Sequence, residues 1–128
     1  LADCNKYLEL RPGDAEAYRM RGRIKGKMGK HAEAIEDFTR AIEHGDNDGN
    51  LSISFYLRGY AQFTLKKYKG AIQDFDEAIK LDPKYEYAYY SRGLCKRHID
   101  DKAGALIDLK KSASLGCDEA KEMLAKLQ

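Results

Sequence analysis

Cys95 and His98 stand three positions apart, half of the sulfur and imidazole set that a tetrahedral zinc site needs. The sequence has no second C-x-x-C or H-x3-H pair, so Cys95 is expected to pack as a small residue with His98 turned outward. Asp46, Asp48 and Asn50 alternate as oxygen donors do at the start of a calcium loop. That pattern wants glycine in its sixth place and a bidentate Glu in its twelfth; Leu51 and Leu57 stand there, and the stretch reads as a polar surface turn. Asn50-Leu51-Ser52 matches a glycosylation acceptor, which has meaning only in a secretory context. His31 and His44 have no nucleophile at a telling spacing. No G-x-G-x-x-G or G-K-[ST] run is present to cradle a phosphate. The expectation is a protein that is not an enzyme and holds no cofactor and no metal.

Charge offers a second chemistry. Arg19, Arg21, Arg23, Lys25, Lys27 and Lys30 form a basic run without an acid, which could contact phosphates, including RNA. A nucleic-acid groove should be basic along its length, and later segments do not continue the run. Lys and Arg number 23 against 21 Asp and Glu, a net charge of +2, which suits a solvated surface better than a polyanion site. No apolar stretch reaches membrane-spanning length, so no membrane partner is expected. Cys4, Cys95 and Cys117 fit no disulfide framework and read as free thiols, which favours a reducing compartment and a cytoplasmic location.

The elements that would position these residues recur. Gly93 follows Gly59 by 34 residues, and Gly59 follows Gly22 by 37, so one connection carries three extra residues. Around them stand Tyr18-x-x-Arg21-Gly22, Phe55-x-x-Arg58-Gly59 and Tyr89-x-x-Arg92-Gly93, followed by Ala34-x3-Phe38, Ala71-x3-Phe75 and Ala105-x3-Leu109. Apolar residues at three- and four-residue steps predict helices over 15–28, 31–44, 52–65, 68–81, 86–99, 102–115 and 118–127, with 45–51 a long polar turn. Asp14 should cap the first of them, Gly29 should close it, and Pro83 should stop the helix before it.

This sequence resembles the tetratricopeptide repeat, whose pattern is W-x2-L-G-x2-Y…A-x3-F…P with a period of 34. It departs by placing Arg before each glycine and Lys25, Gln62 or Lys96 where the pattern has tyrosine. The resemblance implies an all-α solenoid, a right-handed superhelix of helix–turn–helix pairs forming one domain over 1–128. Its expected parts are a half repeat (1–14), repeats at 15–48, 52–85 and 86–117, and a capping helix (118–128). Leu1 already lies in a helical pattern, so the chain is expected to be a piece of a longer array or to use the half repeat as a cap. Its Leu1, Cys4 and Leu8 face should be uncovered and support self-association.

Asp3, Asp37, Asp74 and Asp108 recur in the second helices. Each lies 18 residues before the next repeat's base, as in Asp74–Arg92, or 21 across the insertion, as in Asp37–Arg58. Ion pairs across the repeat boundary are therefore expected; the competing geometry pairs each Arg with the Asp 16 residues later in its own repeat, such as Arg58 with Asp74.

By the same resemblance the first helices line a concave groove. Its expected binding residues are Arg19, Arg23, Tyr56, Tyr60, Phe63, Tyr87, Tyr90, Leu94 and Arg97. Tyr56, Tyr60 and Phe63 fall on one helical face opposite Phe55 and Gly59, so they read as aromatics surplus to a core built on Phe55 and Phe75. Chaperone-binding members hold a C-terminal carboxylate with a Lys and an Asn in one repeat, an Asn in the next, then a Lys and an Arg. Arg19, Arg23, Leu57, Tyr87 and Ser91 occupy those places, so no Hsp70 or Hsp90 tail binding is expected. The function expected is a non-catalytic protein–protein interaction module that takes a peptide or protein segment with apolar and acidic residues. The alternatives are a nucleic-acid-binding helical repeat and a purely structural array.

Overall fold

The computed structural model describes residues 2–45 and 49–127. They form eight helices: α1 (Ala2–Leu10), α2 (Ala15–Lys27), α3 (His31–Glu43), α4 (Gly49–Thr64), α5 (Tyr68–Leu81), α6 (Glu86–His98), α7 (Lys102–Ser114) and α8 (Asp118–Leu127). Each packs chiefly on its neighbours in sequence, with lighter contacts of α2 on α4 and α4 on α6. The buried side chains fall into four clusters strung along the chain, centred on Tyr18, Phe38, Phe75 and Leu109. A solenoid buries its apolar faces between neighbours in this way.

Local sequence sets the ends. The Asp14 carboxylate accepts from the Ala17 amide, and that bond, with a second from the Tyr7 hydroxyl, lowers its pKa. Turns of three residues close α2, α4 and α6, and each uses one left-handed residue: Gly29 at φ 81°, Lys66 at 64° and Asp100 at 65°. Helix α5 ends at Leu81, ahead of Pro83. The expected polar turn over 45–51 is shorter than read, because α4 begins at Gly49. Three extra residues are nearly one 3.6-residue turn, so lengthening the helix keeps Phe55 and Gly59 on their faces. Asp46–Asp48, most of the calcium-like motif, lie outside the described residues.

Close approach occurs at the repeated glycines. A Cβ on Gly59 would stand 2.8 Å from Phe75 Cε1, and one on Gly22 would stand 2.6 Å from Phe38 Cε1. Ala34, Ala71, Phe75 and Ala78 are fully buried. Phe55, expected in the core, is half-buried, with the Arg58 guanidinium 5.6 Å from its ring centroid. Tyr56 and Phe63 pack against Phe75 in its place. Helix α8 covers the last pair with Ala120, Met123 and Leu124, while Leu127 is exposed.

The bidentate ion pairs form within each helix pair, which overturns the expected Asp74–Arg92 and Asp37–Arg58 pairing across the boundary. Arg58 donates from Nε and Nη2 to Asp74 at 2.9 and 2.7 Å; Arg21 does so to Asp37 at 3.0 and 2.7 Å, and Arg92 to Asp108 at 2.9 and 2.7 Å. The third nitrogen reaches back: Nη1 of Arg21 donates to Asn5, that of Arg58 to Thr39 and that of Arg92 to Asp76. A second polar group shares each aspartate: Lys25 at 3.3 Å from Asp37, the Gln62 amide on Asp74, and Lys96 at 3.0 Å from Asp108. The two departures from the family pattern are thus one network. For Arg92, desolvation acts to lower the pKa; hydrogen bonds to Asp108 and Asp76 outweigh it and raise the value.

Leu8 is also not open, being buried among Ala15, Ala17, Tyr18 and Ala41, whereas Cys4 is half-buried. Leu1 lies outside the described residues.

Two stability measurements test this packing. Gly59→Leu overpacks the Phe75 contact and should lower unfolding free energy by about 1–3 kcal/mol or more. Gly13→Ala, where a Cβ meets nothing within 4 Å, should change it little. Gly70 is a poorer control, since its Cβ would displace the Gln62 amide that binds Asp74. In a double-mutant cycle, Arg58→Leu alone strands the buried Asp74 and should cost on the order of 2–3 kcal/mol. Arg58→Leu with Asp74→Ala should cost less than the sum of the singles, and strict additivity would show the pair to be energetically idle.

Candidate functional site

A cavity of about 500 Å3 opens between α2 and α4. Ala34 and Phe38 of α3, both buried, lie at its base, with Leu57 and Ala61 of α4 beside them. Arg23, Lys27 and His31 stand on one side and Tyr60, 49% exposed, on the other. Gly22 and Gly26 make the room: Gly22 admits the Phe38 ring, and at Gly26 a Cβ would meet nothing within 4 Å.

From this cavity an aromatic row continues along the groove. Tyr60 lies 6.3 Å from Tyr56 and 6.2 Å from Phe63, centroid to centroid. Phe63 meets Tyr68 and His98 edge-on at 5.9 Å each, and His98 stacks on Tyr68 at 4.6 Å. Tyr56 contacts Phe75 at 5.7 Å and Tyr85 at 5.0 Å, and burial raises the pKa of both tyrosines.

The expected site residues divide accordingly. Arg23 and Tyr60 come together at the cavity. Tyr56 and Phe63 pack against the Ala71–Phe75–Cys95 cluster, so of that stripe only Tyr60 is exposed. Arg19 is buried, with 7% of its surface exposed. Tyr87 is exposed, Tyr90 packs half-buried against the Leu109–Cys117–Ala120 cluster, and Leu94 is half-buried. Arg97 is exposed, and its Nη1 lies 3.2 Å from Met123 Sδ.

The basic run is not one surface. Arg21 and Lys25 turn to Asp37, while Arg23 and Lys27 face the cavity. Toward α8 the charges are mixed: Arg97 is exposed there, Glu119 is the largest influence raising the Tyr87 pKa, and for Tyr90, where burial comes first, Glu119 and Glu122 add to the rise. Cys95 is fully buried, and burial pushes its thiol up to about 12. Among the described residues, no group of three His, Cys, Asp or Glu side chains is placed to hold a metal ion.

Sequence reading missed His31, Tyr68 and Tyr85 as groove participants. A usable signal existed: His31 and Tyr68 stand nine residues after their repeat glycines, and Gly26 and Phe63 stand four after. The paired change at those two positions marks where one repeat is hollow and the next is filled.

Comparison with known proteins agrees with this architecture. Tetratricopeptide-repeat family models match residues 52–85 and 15–43. The human mitochondrial import receptor subunit TOM70 is 34% identical over 97 residues, 74% of this chain and 16% of that protein. RNA polymerase II-associated protein 3 of Xenopus tropicalis is 36% identical over 103 residues, 79% of this chain and 15% of that protein. The chain thus spans about a sixth of the length of these curated relatives. Among solved structures, the first TPR of Spaghetti (RPAP3) bound to the HSP90 peptide SRMEEVD superposes with a TM-score of 0.80 at 28% identity, covering 88% of each chain. The Arabidopsis OM64 TPR domain superposes at 0.82 and 23% identity, over 88% of this chain and 93% of that one, a likeness of fold.

Proposed function

Because the chain belongs to the tetratricopeptide-repeat family, we propose that it is a non-catalytic interaction module whose concave face binds a protein segment carrying an apolar side chain next to acidic ones. The cavity between α2 and α4 carries this reading: an apolar base lined also by two exposed cations, Arg23 and Lys27. Spaghetti's solved complex with SRMEEVD supports a short acidic segment as the ligand type. Arg23 and Lys27, exposed at the cavity, support placing the ligand's acids toward α2.

The carboxylate-holding places argue against a clamp on a free C terminus. Arg19 and Ser91 are buried, and Leu57 packs against Ala34, Phe38 and Ala61. An internal segment suits this groove better than a chain end. The basic pair at the cavity is too local for a nucleic-acid track, which needs cations along its length. The three free thiols, two of them buried, support a reducing compartment such as the cytoplasm.

Selection of a displayed peptide library on the protein tests the proposal. Segments pairing an apolar residue with neighbouring Asp or Glu should be enriched, with affinity around micromolar, about −8 kcal/mol. Tyr60→Ala should weaken them by on the order of 1–2 kcal/mol, and Arg23→Ala should act mainly at low salt. Loss of binding in Lys80→Ala, on α5, with no change in either groove variant would move the site to the convex side.

Self-association through α1 belongs to the same reading, on a narrower basis than Leu8 suggested. Tyr7 is 37% and Met20 50% exposed, and they border a cavity of about 240 Å3 with Cys4 and Ala17. Sedimentation velocity should show the average mass rising with concentration; a constant monomer mass would remove this contact.

A further inference from the structure

In the first two helix pairs, the positions four and nine residues after the repeat glycine come together on the groove side. In the second pair they are Phe63 and Tyr68, and the Phe63 ring is enclosed by Tyr60, Tyr68 and His98 at 6.2, 5.9 and 5.9 Å. In the first pair they are Gly26 and His31. Nothing lies within 4 Å of where a Gly26 Cβ would be, and the cavity of about 500 Å3 includes that point. The molecule therefore contains both an aromatic ring in its socket and, one repeat earlier, a similar socket without the ring.

The empty socket has a defined chemistry. Phe38 and Ala34 are buried at its base, and Leu57 is packed against them, so the interior is apolar. Tyr60 offers a half-exposed ring in the wall, and His31 stands where Tyr68 stacks in the filled socket. Arg23 and Lys27 flank the mouth. An apolar cavity of about 150 Å3 already holds benzene, so size does not exclude a ring.

We propose that this cavity is an anchor pocket for an aromatic side chain of the bound segment, taken up where Phe63 sits one repeat later, with carboxylates on either side of that residue meeting Arg23 and Lys27. This rests on the groove-binding reading above and narrows its ligand from apolar to aromatic. The next socket along is closed from within by Phe63, Tyr68 and His98, which leaves the first as the open anchor site.

The peptides Ac-Glu-Glu-Phe-Glu-Glu-NH2 and its central Leu and Ala counterparts, titrated into the protein and followed by amide NMR shifts, test it. The Phe peptide should bind about tenfold more tightly than the Ala peptide, with Leu between, and its shifts should centre on Gly26 and Ala61. Gly26→Phe, which fills the pocket internally, should abolish the preference while keeping the melting temperature. Equal binding of Phe and Ala peptides by the unsubstituted protein, with Arg23→Ala weakening both, overturns the pocket and leaves the groove reading intact. Absence of binding by all three peptides, or binding indifferent to both Tyr60→Ala and Arg23→Ala, takes down the groove reading and the pocket together. If Gly26→Phe does not fold, the Phe-to-Ala ratio on the unsubstituted protein decides alone.

Discussion

In each helix pair an arginine lies over an aromatic ring and forks onto a buried aspartate, and few relative placements of two helices satisfy both contacts. The guanidinium carbons of Arg21, Arg58 and Arg92 stand 5.6, 5.6 and 5.5 Å from the centroids of Tyr18, Phe55 and Tyr89. The same groups hold Asp37, Asp74 and Asp108 at 2.7 Å. A leucine in the arginine position could bury comparable surface but would tolerate sliding, since apolar contact has no direction. A bidentate guanidinium–carboxylate pair has a fixed plane and a fixed separation. A buried ion pair is weak evidence of net stability, so its value here is registration. With register fixed, the glycine and phenylalanine beneath the arginine can approach to contact.

Registration at the outer rungs leaves the groove residues free to vary. Gly26, Phe63 and Arg97 hold the same place in three successive pairs and differ completely in size and charge, yet the helices that carry them have the same lengths to within a few residues. The groove therefore differs along its length without a change in scaffold: cationic and hollow at α2, aromatic and closed between α4 and α6, of mixed charge toward α8. That is how one repeated unit can present a ligand with ends that are not interchangeable.

Most helices were legible to within a residue, because three signals agreed in each: apolar spacing, a turn residue and the repeat period. The start of α4 was not, since Gly49 and Asn50 favour turns and only the packing of the following turn draws them into the helix. The arginine–aspartate partners were visible as a pattern, but two separations competed, and sequence distance cannot choose between a partner on the facing helix and one in the next pair. Phe55 was expected in the core and Tyr56 outside it, yet both are half-buried, for a related reason: adjacent residues on a helix differ by 100° in direction, and both directions met a neighbour. The cavity at Gly26 was beyond periodicity altogether. It depends on what is missing from one position and present at its equivalent, a difference the sequence carries at Gly26 and Phe63 but whose spatial meaning only the fold supplies.

The backward reach of each arginine has a thermodynamic corollary. Its third nitrogen joins a helix pair to the one before, through an amide at Asn5, a hydroxyl at Thr39 and a carboxylate at Asp76. A linear array whose units touch only their neighbours behaves as a one-dimensional chain of coupled spins, where each junction sets how readily a boundary between folded and unfolded units can form there. Each of these bonds is lost when a boundary between folded and unfolded units forms at its junction, so the arginines that set register inside a pair also add to the coupling between pairs.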